Sequence, residues 1–248
     1  MEAIYIMWLR QIKRFFRNRP RLISSLGQPM LFLIALGFGL GPIFQRAGQG
    51  SYLQFLAPGV IAMSILFTAI FTGIEVIWDR QFGFLKETLV VPVSRLELMI
   101  GKTLGGATVA IFQGLLVLLI TLLAGFRPTS LFSTPTAIFF MFLLAIVFTA
   151  LGVVIASLLE DMHAFQLVMN FLIMPLYFLS GAIFPLEGVP RALLTAVKLD
   201  PMSYGVDGLR GTLTGIWAFS PLTDLTVLSI LSLVLFFLGS WLFAQIEA

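Results

Sequence analysis

The sequence predicts an all-α integral membrane protein with six transmembrane helices, and three observations carry that prediction. Hydrophobic residues make up 59% of the 248-residue chain, charged residues only 11%, and the mean hydropathy is +1.03. A soluble domain of that composition could not cover its core with polar surface. Apolar runs occur at 22–44, 53–77, 103–125, 135–159, 164–185 and 222–243, each about as long as the roughly 20 residues that a helix needs to cross a bilayer. The runs are continuously apolar rather than alternating, which selects helices over barrel strands.

The first element, residues 1–21, is amphipathic. On a helical wheel Ile4, Tyr5, Trp8, Leu9, Ile12, Phe15 and Phe16 fill one arc, and Arg10, Lys13, Arg14, Arg17 and Asn18 fill the other. That pattern predicts a helix lying in the membrane interface with its basic face toward anionic headgroups. A secretory signal is the competing reading. The apolar run that follows is longer than a signal core and no clear A-x-A cleavage site comes after it, so the segment is expected to stay.

Lys and Arg set the expected orientation. Ten of the 15 lie before the first span or between the second and third, and five lie in the alternate loops, which puts the N-terminus and that second segment inside. An even number of spans returns the C-terminus to the same side. Trp8, Trp78 and Trp241 then sit near the inner interface and Trp217 near the outer one.

Between the second and third spans, residues 79–98 form a charged elbow. Trp78, Phe82, Leu85 and Leu89 recur at helical spacing, with Asp79, Arg80, Lys86 and Glu87 on the other side, so residues 79–89 read as an amphipathic surface helix. Pro92 ends it and biases Val91 toward extended geometry. Ser94 and Glu97 then form a capping box that starts the helix of the third span. The elbow serves either as a docking element or as a plain return into the membrane. Gly101-Lys102-Thr103 imitates the end of a phosphate-binding loop, but Leu96 stands where the first glycine is needed and no buried strand precedes it. Lys102 is therefore read as an anchor whose amine snorkels to the headgroups.

The fourth and fifth spans meet at Glu160-Asp161-Met162-His163. The chain's single histidine beside two acids is either a sparse metal site or, as ordinary helix-end electrostatics would have it, a solvated turn. With no cysteine there is no disulfide or thiolate chemistry. Before the last span, Pro185, Pro190 and Pro201 divide a semi-apolar stretch into pieces too short to cross, and Val189–Leu199 and Met202–Leu213 each read as a short helix resting on or dipping into the outer leaflet. Gly37 and Gly41 have the small-xxx-small spacing of close helix contacts, read as packing within one subunit. Glu75 is the main acid within an apolar run, so no ionisable relay crosses the bilayer. Neither a nucleophile motif nor an internal repeat is present.

Gly83-Phe84-Leu85-Lys86-Glu87-Thr88-Leu89, followed by Pro92-Val93-Ser94-Arg95 and Gly101-Lys102, resembles the cytoplasmic signature of ABC type-2 transporter permeases. Leu179-Ser180-Gly181 to Phe184-Pro185, with Asp200-Pro201 to Arg210, resembles that family's outer re-entrant region. The two motifs stand in the family's order. The basic N-terminus, the six spans and the length extend the resemblance over essentially the whole chain, and the very short C-terminal tail is the one departure.

The resemblance implies a single ABC type-2 transmembrane domain over residues 1–248, with a connecting helix at 1–21, a coupling elbow at 79–98 and an outer re-entrant region at 186–213. It assigns ATPase coupling to Asp79, Arg80, Phe82, Gly83, Leu85, Lys86, Glu87, Pro92 and Arg95, and a second inner contact to Glu160, Asp161 and His163. The outer gate would comprise Phe184, Pro185, Pro201, Tyr204, Asp207 and Arg210. It further implies two copies of a separate ABC ATPase subunit that bind the ATP and Mg, and a second permease, as a homodimer. The chain itself would hold no cofactor or metal, have no ATPase site, contact lipids rather than nucleic acid, and reside in the cell membrane. The drug-resistance and lipooligosaccharide branches are the most similar, which implies export of a drug, lipid or lipid-linked glycan. Taken without the resemblance, the residues also admit a secondary transporter or channel driven by an ion gradient.

Overall fold

The computed structural model describes residues 2–46, 50–82 and 94–245. Among them every regular element is helical: α1 (Glu2–Arg17), α2 (Arg19–Arg46), α3 (Tyr52–Phe71), α4 (Ile74–Gln81), α5 (Arg95–Leu123), a 3-10 turn (Leu131–Ser133), α6 (Thr134–Leu158), α7 (Met162–Leu179), α8 (Arg191–Leu199), α9 (Pro201–Thr214) and α10 (Pro221–Gln245). Six stretches are long and apolar enough to cross a membrane, at Leu22–Arg46, Tyr52–Gln81, Arg95–Leu123, Thr134–Leu158, Met162–Leu179 and Pro221–Leu242. These are the six expected spans.

Two boundaries have a local cause: the start of the third helix is the one expected, and the end of the fifth span falls short of the expected 185. The third span begins at Arg95 because the capping box forms, with the Ser94 hydroxyl accepting from the Glu97 N–H and the Glu97 carboxylate accepting from the Ser94 N–H. The fifth ends at Leu179 because Gly181 takes up φ +72°, a left-handed turn that glycine adopts without a steric penalty.

The second span is broken at Thr72–Gly73, between α3 and α4. A Cβ on Gly73 would lie 2.3 Å from the Gly152 carbonyl oxygen, so the break marks where α6 crosses at backbone contact. In lipid, helix association depends on such close packing rather than on expulsion of water. Accordingly α3 and α6 form the centre of the bundle, with 78% and 72% of their span windows buried, against 11% for α2, 22% for α7 and 28% for α10.

The two short helices before the last span are unlike each other. Helix α8 buries only Val197 and leaves Leu199 exposed, as a surface-lying helix should. Helix α9 is buried along its whole length from Met202 to Leu213 and packs on α6, α10 and α3. Helix α9 is thus packed inside the bundle rather than laid on its surface. Gly205 and Gly208 explain the insertion, since a Cβ at either would collide with the side chains of Leu144 or Phe140 on α6. Among the described residues nothing lies within 4 Å of a Cβ placed on Gly37 or Gly41, so the expected packing within the subunit is not seen there.

Candidate functional site

The α1 end of the bundle is assembled around one aspartate. Helix α1 buries Met7, Gln11 and Phe15, one residue per turn, and lays that seam on α5. Gly101 and Gly105 make room for it, because a Cβ there would lie 2.8 Å from the Met7 Cβ and 2.6 Å from the Gln11 Cβ. The Trp8 indole N–H donates to Thr108 Oγ1 at 3.0 Å. This docking carries the basic side of α1 over α4.

There Asp79 accepts from Lys102 Nζ at 2.6 Å and from Arg10 Nη2 at 2.7 Å, with Arg14 3.8 Å away. Arg14 also lies 3.6 Å from Glu75 and places its guanidinium 4.9 Å above the Trp78 ring. Lys102 is 2% exposed and Asp79 4%. Two expectations are corrected by this geometry. Asp79 does not lie on a solvent-facing polar side, where Phe82 is exposed instead, and Lys102 does not snorkel. Buried charges in a membrane protein must find each other, and these two do. Removing either partner from such a buried pair costs on the order of 3–5 kcal/mol.

The opposite side of α4 is tied to the turn between α6 and α7. Arg80 donates to the carbonyls of Ser157 (3.2 Å) and Leu159 (3.3 Å), satisfying the C-terminus of α6. Gln81 Nε2 donates to the Glu160 carbonyl at 3.2 Å, and the Trp78 indole approaches Met162 Sδ. Asp161 caps α7 by accepting from the Ala164 N–H at 2.9 Å, a bond that holds its carboxyl below the ordinary value. Glu160, Asp161 and His163 are all exposed beside the end of α4, and Arg95 is half-buried at the start of α5. Gly83, Leu85, Lys86, Glu87 and Pro92 lie outside the described residues.

At the other end, α9 is held by polar bonds on every side. Asp200 caps it by accepting from the Met202 N–H at 2.8 Å, while burial pushes the Asp200 carboxyl up to about 7. Tyr204 Oη donates to the Lys198 carbonyl at 2.7 Å. Asp207 accepts from the N–H groups of Ala218 and Phe219, and Arg210 donates to the Gly181 carbonyl at 2.9 Å with its guanidinium 4.1 Å above Phe55. Pro185, Asp207 and Arg210 line a cavity of about 560 Å³ walled by Phe44, Phe55 and Trp217. Phe184 is half-buried next to it and Pro201 opens α9.

The sequence model of the ABC-2 type transporter family matches residues 2–214. The chain belongs to that family. It is 31% identical over 210 residues to a ycf38 transport permease of Cyanophora paradoxa, covering 80% of this chain and 71% of that protein. It is also 31% identical to Nodulation protein J of Rhizobium leguminosarum bv. trifolii over 196 residues, 78% of this chain and 74% of that one. A ycf38 permease of Porphyra purpurea is 27% identical over 261 aligned positions, 99% of this chain and 89% of its own. This ABC-2 permease is therefore a multi-pass protein of the cell membrane, in a family whose members work with an ABC ATPase.

Two buried ionisable residues of the permease, Lys102 and Asp224, have no partner assigned from sequence. Lys102 and Asp79 are ionisable groups at the edges of neighbouring apolar runs, which marks both as candidates to pair without showing that they face each other. Asp224 lies near the start of the last run and is fully buried, yet at a span end it resembles an ordinary interfacial charge. Nothing local in the sequence marks it.

Proposed function

We propose that this ABC-2 permease is the membrane-spanning half of an ATP-driven exporter of hydrophobic or amphipathic molecules. In this reading ATP and Mg are bound by two separate ABC ATPase subunits, and two copies of this chain enclose the path. The observation that carries the proposal is the Arg10–Asp79–Lys102 junction. It joins the helix leading into the elbow to both α1 and α5 through buried or half-buried charge. A push on residues 83–93 from an ATPase would move three helices together, because separating them exposes unpaired charge to a low-dielectric interior.

The second permease is supported by the thinly covered spans. Helix α2 exposes Ile34 and Phe38, and α7 exposes Leu167 and Phe171, while Gly37 and Gly41 are open to close approach. Apolar walls around the cavity at the α9 end suit an amphipathic cargo better than a strongly hydrated one.

Everted membrane vesicles supplied with a fluorescent amphiphilic dye test the reading. ATP should drive dye accumulation in vesicles containing permease and ATPase, and an imposed ion gradient without ATP should not. Dye movement on the gradient alone, with no ATPase present, would instead favour a secondary transporter.

A further inference from the structure

The α9 end holds two carboxyl groups that ATP coupling does not explain. Asp207 receives the Ala218 N–H at Oδ1 (2.7 Å) and the Phe219 N–H at Oδ2 (2.8 Å). Asp224, in the first turn of α10, is 0% exposed, and neither of its oxygens receives an N–H or O–H from the described residues. Asp224 follows within a few residues of the Ala218 and Phe219 N–H groups that Asp207 accepts, and α9 packs on α10, so the two carboxyls are neighbours that feel each other. A pair of ionised carboxylates in that position would repel inside an apolar bundle, and Asp224 would pay the full desolvation penalty with no donor.

One proton resolves both problems. Asp207 already accepts two N–H bonds and feels the positive charge of Arg210, so it is the natural acceptor, and the proton then sits on Asp224. We propose that Asp207 and Asp224 bind one proton between them, with Asp224 donating its O–H to the Asp207 carboxylate, and that this proton fastens α9 to the last span. Together with Arg210 the cluster is then neutral. The other ionisable groups around it are Tyr204, facing Asp224 and Asp200, Tyr52 and Tyr177 around Arg210, and Glu187 across the cavity. Burial raises the Asp207 carboxyl despite its two N–H bonds, which agrees with a retained proton.

The site has a consequence for movement. Asp207 lines the 560 Å³ cavity, so opening that cavity to water would hydrate the pair and let it ionise. Opening of the α9 end is thereby linked to proton release.

Infrared spectroscopy of the purified full-length permease at neutral pH tests this. With Asp200→Asn as the background, which removes the other carboxyl that holds a proton near pH 7, the protein should show a protonated-carboxyl C=O band that Asp224→Asn abolishes. In Asp207→Asn the band should persist but shift, because Asp224 then donates to an amide oxygen. Absence of the band from the Asp200→Asn background, its survival when Asp224→Asn is added, or an unshifted band when Asp207→Asn is added would each overturn the proposal. So would sodium-dependent thermal stabilisation lost in Asp224→Asn, which would make the pair a cation site. Should Asp224→Asn fail to fold, the Asp207→Asn comparison decides alone.

Discussion

The two ends of this permease bury aspartates in opposite ways. At the α1 end Asp79 is surrounded by Lys102, Arg10 and Arg14 from two other helices, so its charge is cancelled by ion pairing. At the α9 end the acids Asp200 and Asp207 are answered chiefly by backbone N–H groups, with Arg210 turned to a carbonyl and an aromatic ring. The first arrangement is a mechanical joint that fails if the helices part. The second depends on burial itself, so it responds to water and to protons.

Breaking the joint should give the largest effect. Lys102→Met leaves Asp79 buried against two half-exposed arginines and is expected to destabilise the permease by about 3–5 kcal/mol. A detergent thermal-unfolding series would read this, with most of the loss recovered in the Lys102→Met, Asp79→Leu double variant. If Lys102→Met matched the wild type, the joint would be no more than a surface pairing.

Displacing α1 without touching a charge sharpens the comparison. Gly105→Val places methyl groups where Gln11 now packs, and overpacking of this kind costs roughly 1–3 kcal/mol. The expected outcome is reduced ATP-dependent transport together with faster exchange of α1 amides, while α9 stays protected.

A pH titration separates the two ends. Because Asp200 titrates near 7 when folded and near 4 when unfolded, the folded state holds the proton more tightly. Its stabilising contribution is full below pH 4 and is lost as pH rises toward 7, at no more than about 1.4 kcal/mol per unit. Asp200→Asn should flatten the unfolding temperature over that interval. Steepening instead would reverse the sign of the argument.

The smallest expected effect is at the cap of α5. Ser94→Ala removes the hydroxyl that accepts the Glu97 N–H and should cost about 1 kcal/mol, visible as fraying of the first turn in hydrogen exchange.

Much of this architecture could be read from the chain. Long apolar runs and the Ser94–Glu97 box locate helices by composition and local hydrogen bonding, and those forces act within a few residues. What could not be read depends on which helix faces which. A wheel drawn for α4 puts Asp79 on the polar side, and it is polar, but that side meets Lys102 rather than water. Gln11 is buried for the same reason, through glycines 90 or more positions away in sequence. For α9 the sequence leaves open whether a short semi-apolar helix rests on the outer leaflet or dips into it. Gly205 and Gly208 admit it to the core, where its polar side chains find partners.

If the helix entering the elbow couples an ATPase to the spans, the two proteins should be isolated together. Tagged permease should be isolated from its native host in mild detergent, with the bound ATPase quantified and its Mg-dependent hydrolysis measured, for wild type and for Lys86→Glu, Glu87→Lys. The expected result is a stoichiometric ATPase in the wild type that is lost or uncoupled in the charge-reversed variant, whose spans still unfold at the wild-type temperature. A wild-type permease that purifies free of any ATPase, or a variant that keeps its partner and full coupling, would contradict it.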